Sequence, residues 1–200
     1  MKIAVFVSGR GSNLQAILES GYTKDIVEVK AVVSEKIDCA AFQVAGIYSI
    51  PTFTLSNKPG GKSYSEIISL FREMEIELIV LAGFLKLIPK EFIKSFQNKI
   101  INIHPALLPS YGGAGMYGMN VHRAVFNSGD RFSGATVHIV NETFDTGRII
   151  AQEKIDISQA KSPEEIAERV LVIEHKLLPF VLNKFANGKV EITDSQIKIL

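Results

Sequence analysis

Apolar positions along the chain fall into two alternating kinds of pattern. Residues 3–7 are apolar throughout, as a strand buried on both faces is, and 27–33, 78–82 and 100–103 are further short runs of β type. Between them, apolar residues recur three and four apart. Leu14, Ile17 and Leu18 form one such set, and Tyr64, Ile67, Ile68, Phe71 and Met74 another. Residues 40–45 read as part of a helix ended by Gly46, and 51–55 as a short edge strand. A break follows at 57–61, and Pro89 opens a helix carrying Phe92, Ile93 and Phe96. Strands alternating with amphipathic helices predict a parallel sheet covered on both faces.

The pattern changes past residue 110. Residues 110–120 are glycine-rich, and 121–126 read as a short helix. Two strands, 135–140 and 148–155, flank a turn at Asp145-Thr146-Gly147. Ser162-Pro163-Glu164-Glu165 supplies a Ser cap, a proline at the first helical position and a glutamate three residues after the cap; the helix runs towards Ala186 and stops at Asn187-Gly188. The expected fold is α/β, an open, mostly parallel, doubly wound sheet with added C-terminal strands and a long C-terminal helix. Residues 1–200 are expected to form one domain.

Composition narrows the function. At 46% apolar and 22% charged residues the chain is globular, and a net charge of +1 leaves no excess for holding a nucleic-acid backbone or an acidic membrane. No apolar stretch approaches the ~20 residues a membrane span needs, and no signal-peptide pattern opens the chain, so a cytoplasmic protein is expected. Cys39 is the only cysteine, which excludes an internal disulfide and a CxxC metal knuckle; it reads as a small buried apolar residue.

Three places could carry chemistry. Ser8-Gly9-Arg10-Gly11-Ser12-Asn13 lies between a strand and a helix, where backbone N–H groups and the helix dipole suit an anion. It is no Walker loop, and Leu14 stands where a dinucleotide fingerprint needs its third glycine, so a single phosphate monoester suits it better. The alternative is a tight turn in which Ser12 or Asn13 caps the helix. In Asn102-Ile103-His104-Pro105, strand alternation puts Asn102 and His104 on one side at a carboxyl end, where open α/β sheets bind ligands. Such a pair can stabilise an oxyanion and donate a proton, and it can equally be a satisfied hydrogen-bond network. Asp145, in a turn, would raise the pKa of His104 if the two meet; otherwise it is only a turn residue. His122 is a candidate for lining the same cleft, His138 reads as a satisfied core histidine, and His175 as structural. No HExxH or paired ligand spacing points to a metal, and no Gly-x-Ser-x-Gly elbow points to a nucleophilic hydrolase.

The runs VSGRGSNLQ (7–15), LAGFLKL (81–87), INIHPALLP (101–109), GATVH (134–138) and FDTG (144–147), in this order, resemble the phosphoribosylglycinamide formyltransferase family across nearly the whole chain. The resemblance implies a Rossmann-like fold. It implies transfer of a formyl group from 10-formyltetrahydrofolate to the amine of glycinamide ribonucleotide in purine synthesis, without a metal. Asn102, His104 and Asp145 would be catalytic. Gly11, Ser12 and Asn13 would hold the ribonucleotide phosphate, and Leu171, Val172, Ile173 and Glu174 would contact the same substrate. Leu85, Lys86, Leu87 and Ile88, with Val140, Asn141, Glu142, Thr143, Phe144, Asp145 and Asn102, would line the folate pocket. Lys62, a further candidate for a folate contact, falls where members often carry Arg; it keeps the charge but loses the two-pronged grip on a carboxylate. The glycine-rich loop 111–118 is expected to be a mobile lid near the substrates, the alternative being a flexible surface loop.

The rival folate enzymes, formyltetrahydrofolate deformylase and methionyl-tRNA formyltransferase, usually carry an extra domain before or after this one, and none is expected here. A nucleotide-binding protein without chemistry is the alternative from another class; it predicts loss of one of Asn102, His104 and Asp145, and all three are present. The partners expected are the two small-molecule substrates and no nucleic acid or membrane, in a monomer or homodimer.

Overall fold

The structure is a computed structural model describing residues 1–193 and 196–200. Strands β1 (Lys2–Phe6), β2 (Glu28–Ser34), β3 (Thr52–Thr54), β4 (Leu78–Leu81), β5 (Ile100–His104), β6 (Phe132–Ile139) and β7 (Ile149–Asp156) form one sheet in the order β3-β2-β1-β4-β5-β6-β7. Pairings from β3 to β5 are parallel, and β6 and β7 are added antiparallel. The helices are α1 (Ser12–Glu19), α2 (Ala41–Ile47), α3 (Tyr64–Glu73), α4 (Lys90–Ser95), α5 (Met119–Ser128) and α6 (Pro163–Ala186). This is the expected open, doubly wound arrangement, with strands added after the parallel half and a long C-terminal helix.

The unbroken apolar run at the start of the chain follows from burial on both faces. Ile3, Val5 and Val7 pack with Leu14, Ile17 and Leu178 on one side of the sheet. Ala4 and Phe6 pack with Ile67, Phe71 and Phe92 on the other. The second core is aromatic, with Phe6 edge-on to Phe71 at 6.0 Å and to Phe92 at 5.8 Å between ring centroids. Cys39 is buried, as read from the sequence.

Strand order reverses direction beside β1: the chain moves outward through β2 and β3, then returns to place β4 on the other flank. The loops leaving the carboxyl ends of β1 and β4 therefore part at this point, which opens the crevice where such sheets bind ligands.

Several local bounds differ from the sequence reading; α5, for one, takes in Met119 and Asn120 at its start and ends at Ser128 rather than 126. Helix α2 runs one residue past Gly46, and β6 starts three residues earlier than expected, at Phe132. A small antiparallel pair, β8 (Val190–Ile192) and β9 (Ile197–Ile199), follows α6 and has no counterpart in the sequence reading. Among the described residues no helix is long and apolar enough to cross a membrane.

Candidate active site

The chain leaves β1 and turns through Ser8–Gly11 into α1. Gly11 has φ +82°, and a Cβ there would lie 2.7 Å from the Cβ of Ala41, so only glycine permits this approach of loop and α2. The Ser8 carbonyl accepts from Lys36 Nζ at 2.7 Å, and the Gly9 carbonyl from Cys39 Sγ at 3.3 Å and Ala41 N at 3.2 Å. The amides of Gly11, Ser12 and Asn13 donate to no group among the described residues. The loop thus has its carbonyls tied back while free N–H groups stand at a helix start, an arrangement that favours an anion. The capping alternative is not what forms: Gly11 is the N-cap, and no side chain caps the helix.

Asn13 is used otherwise. Its Nδ2 donates to Glu174 Oε2 at 2.8 Å, joining the loop to α6. Glu174 is buried, and burial pushes its carboxyl up to about 7 against the opposing hydrogen bond from Asn13. Asn13 Oδ1 is buried with no partner among the described residues.

The carboxyl end of β5 carries Asn102 and His104 on one face, and the antiparallel register sets His138 of β6 opposite Asn102. The turn after β6 brings in Asp145, at φ +54°, a conformation that Asp tolerates better than most residues. Gly147 lets that turn close, because a Cβ there would sit 1.6 Å from the Ile139 carbonyl oxygen. Asp145 Oδ2 accepts from Gly113 N at 3.0 Å, while Oδ1 stands 3.5 Å from His104 Nδ1, 3.6 Å from His138 Nε2 and 3.5 Å from Asn102 Nδ2. Asn102 Nδ2 also lies 3.0 Å from His138 Nε2, and His138 Nδ1 lies 2.9 Å from the Ile139 carbonyl. His104 Nε2 is 2.8 Å from the carbonyl of Tyr111, at the start of the glycine-rich loop. The trio selected in the sequence is thus brought together.

One electrostatic expectation is overturned. Asp145 does meet His104 and does favour the imidazolium, but the pKa of His104 lies below its ordinary value because burial of the ring outweighs the carboxylate. Burial also pulls the Asp145 carboxyl upward. Bonding to His138, the neighbouring His104 and the Gly113 amide together hold it below the ordinary range.

These groups share one cleft of about 540 Å³. Arg10, Ser12, Asn13, Leu171 and Glu174 form part of its wall. Leu85, Lys86, Leu87 and Ile88 line it from the loop after β4, and Val140, Asn141, Thr143 and Phe144 from the loop after β6. Gly113, Gly115, Met116, Tyr117 and Gly118 of the glycine-rich loop border it as well.

Five selected residues do not line the cleft. Gly11 backs the anion loop from behind. Leu171 and Glu174 are three apart on α6 and share a face; the residues between them turn elsewhere, Ile173 into the core and Val172 to solvent at 52% exposure. Glu142 pairs at the surface with Lys90 at 2.8 Å. Lys62 is held beside β3, its amide donating to the Thr54 carbonyl.

The other histidines divide. His138 is buried and bonded, as read, yet it also belongs to the cluster around Asp145. His122 lines the cleft, its Nδ1 unpartnered among the described residues and its pKa pushed down to about 4 by burial and then by His104. His175 lies on α6 away from the cleft wall. Among the described residues no group of three His, Cys, Asp or Glu side chains is arranged to hold a metal ion.

Comparison with known proteins matches the Formyl transferase family over residues 1–182. The chain is 41% identical to the chloroplastic phosphoribosylglycinamide formyltransferase of Arabidopsis thaliana, over 100% of this chain and 70% of that protein. To the phosphoribosylglycinamide formyltransferase of Haemophilus influenzae it is 35% identical, over 97% of this chain and 91% of the relative. The crystal structure of the Anaplasma phagocytophilum phosphoribosylglycinamide formyltransferase superposes with a TM-score of 0.88 at 32% identity, covering 99% of this chain and 92% of that one. With the switch-point cleft, the open anion loop and the Asn102–His104–Asp145 cluster, this likeness places the chain in the formyl transferase family, among the phosphoribosylglycinamide formyltransferases.

Proposed function

We infer that the chain transfers the formyl group of 10-formyltetrahydrofolate to the free amine of glycinamide ribonucleotide, giving formylglycinamide ribonucleotide and tetrahydrofolate in purine biosynthesis. The observation that carries this reading is the convergence of Asn102, His104 and Asp145 in a cleft that also holds an open anion loop. Residues 1–200 act as one domain in this account, the first half holding the ribonucleotide phosphate and the second half supplying the trio.

Ser12 and Asn13, which line the cleft, offer their free amides to the phosphate over the turn that Gly11 permits, and Glu174 stands beside them for the glycinamide end. Leu85, Ile88, Val140 and Phe144 give the apolar walls that a flat ring system needs, with the backbone of their loops left to read its polar edges. The folate supplies the activated formyl carbon, at which negative charge develops on oxygen while a proton must reach the departing nitrogen.

The chain's own groups match those two needs. Asn102 Nδ2 holds His138 Nε2 at 3.0 Å but Asp145 only at 3.5 Å, so its second proton is loosely held and free for an incoming oxygen. His104 can serve as donor once Nε2 exchanges the Tyr111 carbonyl for the reacting group. Asp145, ionised and 3.5 Å from Nδ1, stabilises the ring whenever it carries a second proton. No covalent bond to the protein is needed.

The test supplies an isotopically labelled formyl group on the folate and follows the ribonucleotide by mass spectrometry. Label on the ribonucleotide supports the reading, and label released only as formate refutes it in favour of hydrolysis.

A further inference from the structure

Ser8 closes β1 and opens the anion loop, and it is 2% exposed. Every polar atom it has is bonded. Its amide donates to the Gly83 carbonyl at 3.0 Å, and its carbonyl accepts from Lys36 Nζ at 2.7 Å. Its hydroxyl donates to Glu35 Oε2 at 2.8 Å and accepts from the Leu85 amide at 2.9 Å. Two of these bonds clip both sides of the three-residue turn 83–85, from which the cleft-lining segment Leu85 to Ile88 departs. The other two anchor Ser8 to the turn after β2.

A serine hydroxyl has one proton and two lone pairs. Giving the proton to a carboxylate is a charge-assisted bond that fixes the rotor, which leaves lone pairs free for the Leu85 N–H. Glu35 therefore acts on the Leu85 loop only through Ser8. We propose that Ser8, oriented by Glu35, is a positioning residue that sets the distance between the anion loop and the Leu85 loop, and so the alignment of the two substrates in formyl transfer. The proposal rests on the functional reading above, in which one loop holds the ribonucleotide and the other the folate. Misplacement of reacting groups by ~1 Å can cost ~100-fold in rate, so a clip that fixes two substrate loops bears directly on kcat.

The test is steady-state kinetics on the full chain with Ser8→Ala, Glu35→Ala, Glu35→Gln and the double alanine variant, together with ribonucleotide affinity by calorimetry and hydrogen exchange at the Leu85 amide. Ser8→Ala should speed exchange at Leu85, raise the folate KM and lower kcat by ~100-fold, while ribonucleotide affinity holds. Glu35→Ala should lower kcat in the native background and have no further effect once Ser8 is alanine. Glu35→Gln, which keeps an acceptor for the hydroxyl, should recover most of that loss. Native kcat in Ser8→Ala would overturn the proposal, as would a full additional loss from Glu35→Ala in the double variant. So would ribonucleotide affinity falling in step with kcat. If the unaltered enzyme forms no formylated ribonucleotide while its Leu85 amide stays protected, the functional reading fails and takes this proposal with it; native turnover with an indifferent Ser8→Ala sinks the proposal alone.

Discussion

Replacing Glu174 with Gln should make the protein more stable at alkaline pH and leave it unchanged at acid pH. The carboxyl is buried on α6, and its one bonded neighbour is Asn13 Nδ2 at 2.8 Å. Its pKa rises from the ordinary 4.5 to about 7 in the folded protein. Between those values the folded state keeps a proton that the unfolded chain has released, so native stability falls as pH rises from 4.5 to 7 and levels off above. At ~1.36 kcal/mol per pKa unit, holding the ionised carboxylate in this place costs the fold about 3 kcal/mol at alkaline pH. Glutamine offers Asn13 the same acceptor and never ionises. Urea unfolding of both proteins across about pH 4 to pH 8 measures the difference. The gap should open from zero to about 3 kcal/mol in favour of the variant over that range. A gap that stays constant, or one that favours the native protein increasingly as pH rises, would refute the burial argument. The same variant should bind glycinamide ribonucleotide more weakly, since it cannot offer a charge to the amine end.

Three further substitutions test separate parts of the account. Asp145→Asn removes the charge beside His104 Nδ1 and should lower kcat by ~10²- to 10⁴-fold while calorimetry finds ribonucleotide binding nearly unchanged; near-native turnover would remove Asp145 from the mechanism. Gly11→Ala forces a side chain into φ +82° with its Cβ 2.7 Å from that of Ala41. It should cost about 1–3 kcal/mol in urea unfolding and weaken phosphate binding; an unchanged midpoint would contradict the packing described for this loop. Phe92→Ala empties a fully buried site among Phe6, Phe71 and Phe96 and should cost about 3–5 kcal/mol, read from the same unfolding curves, with kcat in the remaining folded protein little affected.

Much of this was legible in the sequence because burial leaves a periodic trace. The run at 3–7 is apolar at every position because β1 has helices on both faces, and the three-four spacing of Ile67 and Phe71 marks the face α3 turns to the sheet. Asn102 and His104 could be selected because their alternation and Pro105 set them at a strand end. What sequence could not supply is whatever depends on register or depth. His138 reads as an ordinary core residue until the antiparallel pairing sets it opposite Asn102. A carboxylate beside His104 is visible in the chain only as a possibility, and the burial that outweighs it is not visible at all. Val172 and Ile173 lie in the same continuous stretch as Leu171 and Glu174, yet one helical turn separates these cleft-facing positions from core and solvent. The β8–β9 hairpin escaped because two three-residue strands of alternating Val, Glu, Ile, Lys and Ile carry too little pattern.

Formyl transfer to a ribonucleotide by the Asn102–His104–Asp145 cluster can be read out in two cuvettes. Each holds the enzyme with 10-formyl-5,8-dideazafolate, and one also holds glycinamide ribonucleotide; absorbance follows conversion to 5,8-dideazafolate. Turnover only where the ribonucleotide is present is the predicted result. Equal turnover in both would make water the acceptor, and no turnover in either would leave a binding cleft without this chemistry; either outcome contradicts the account.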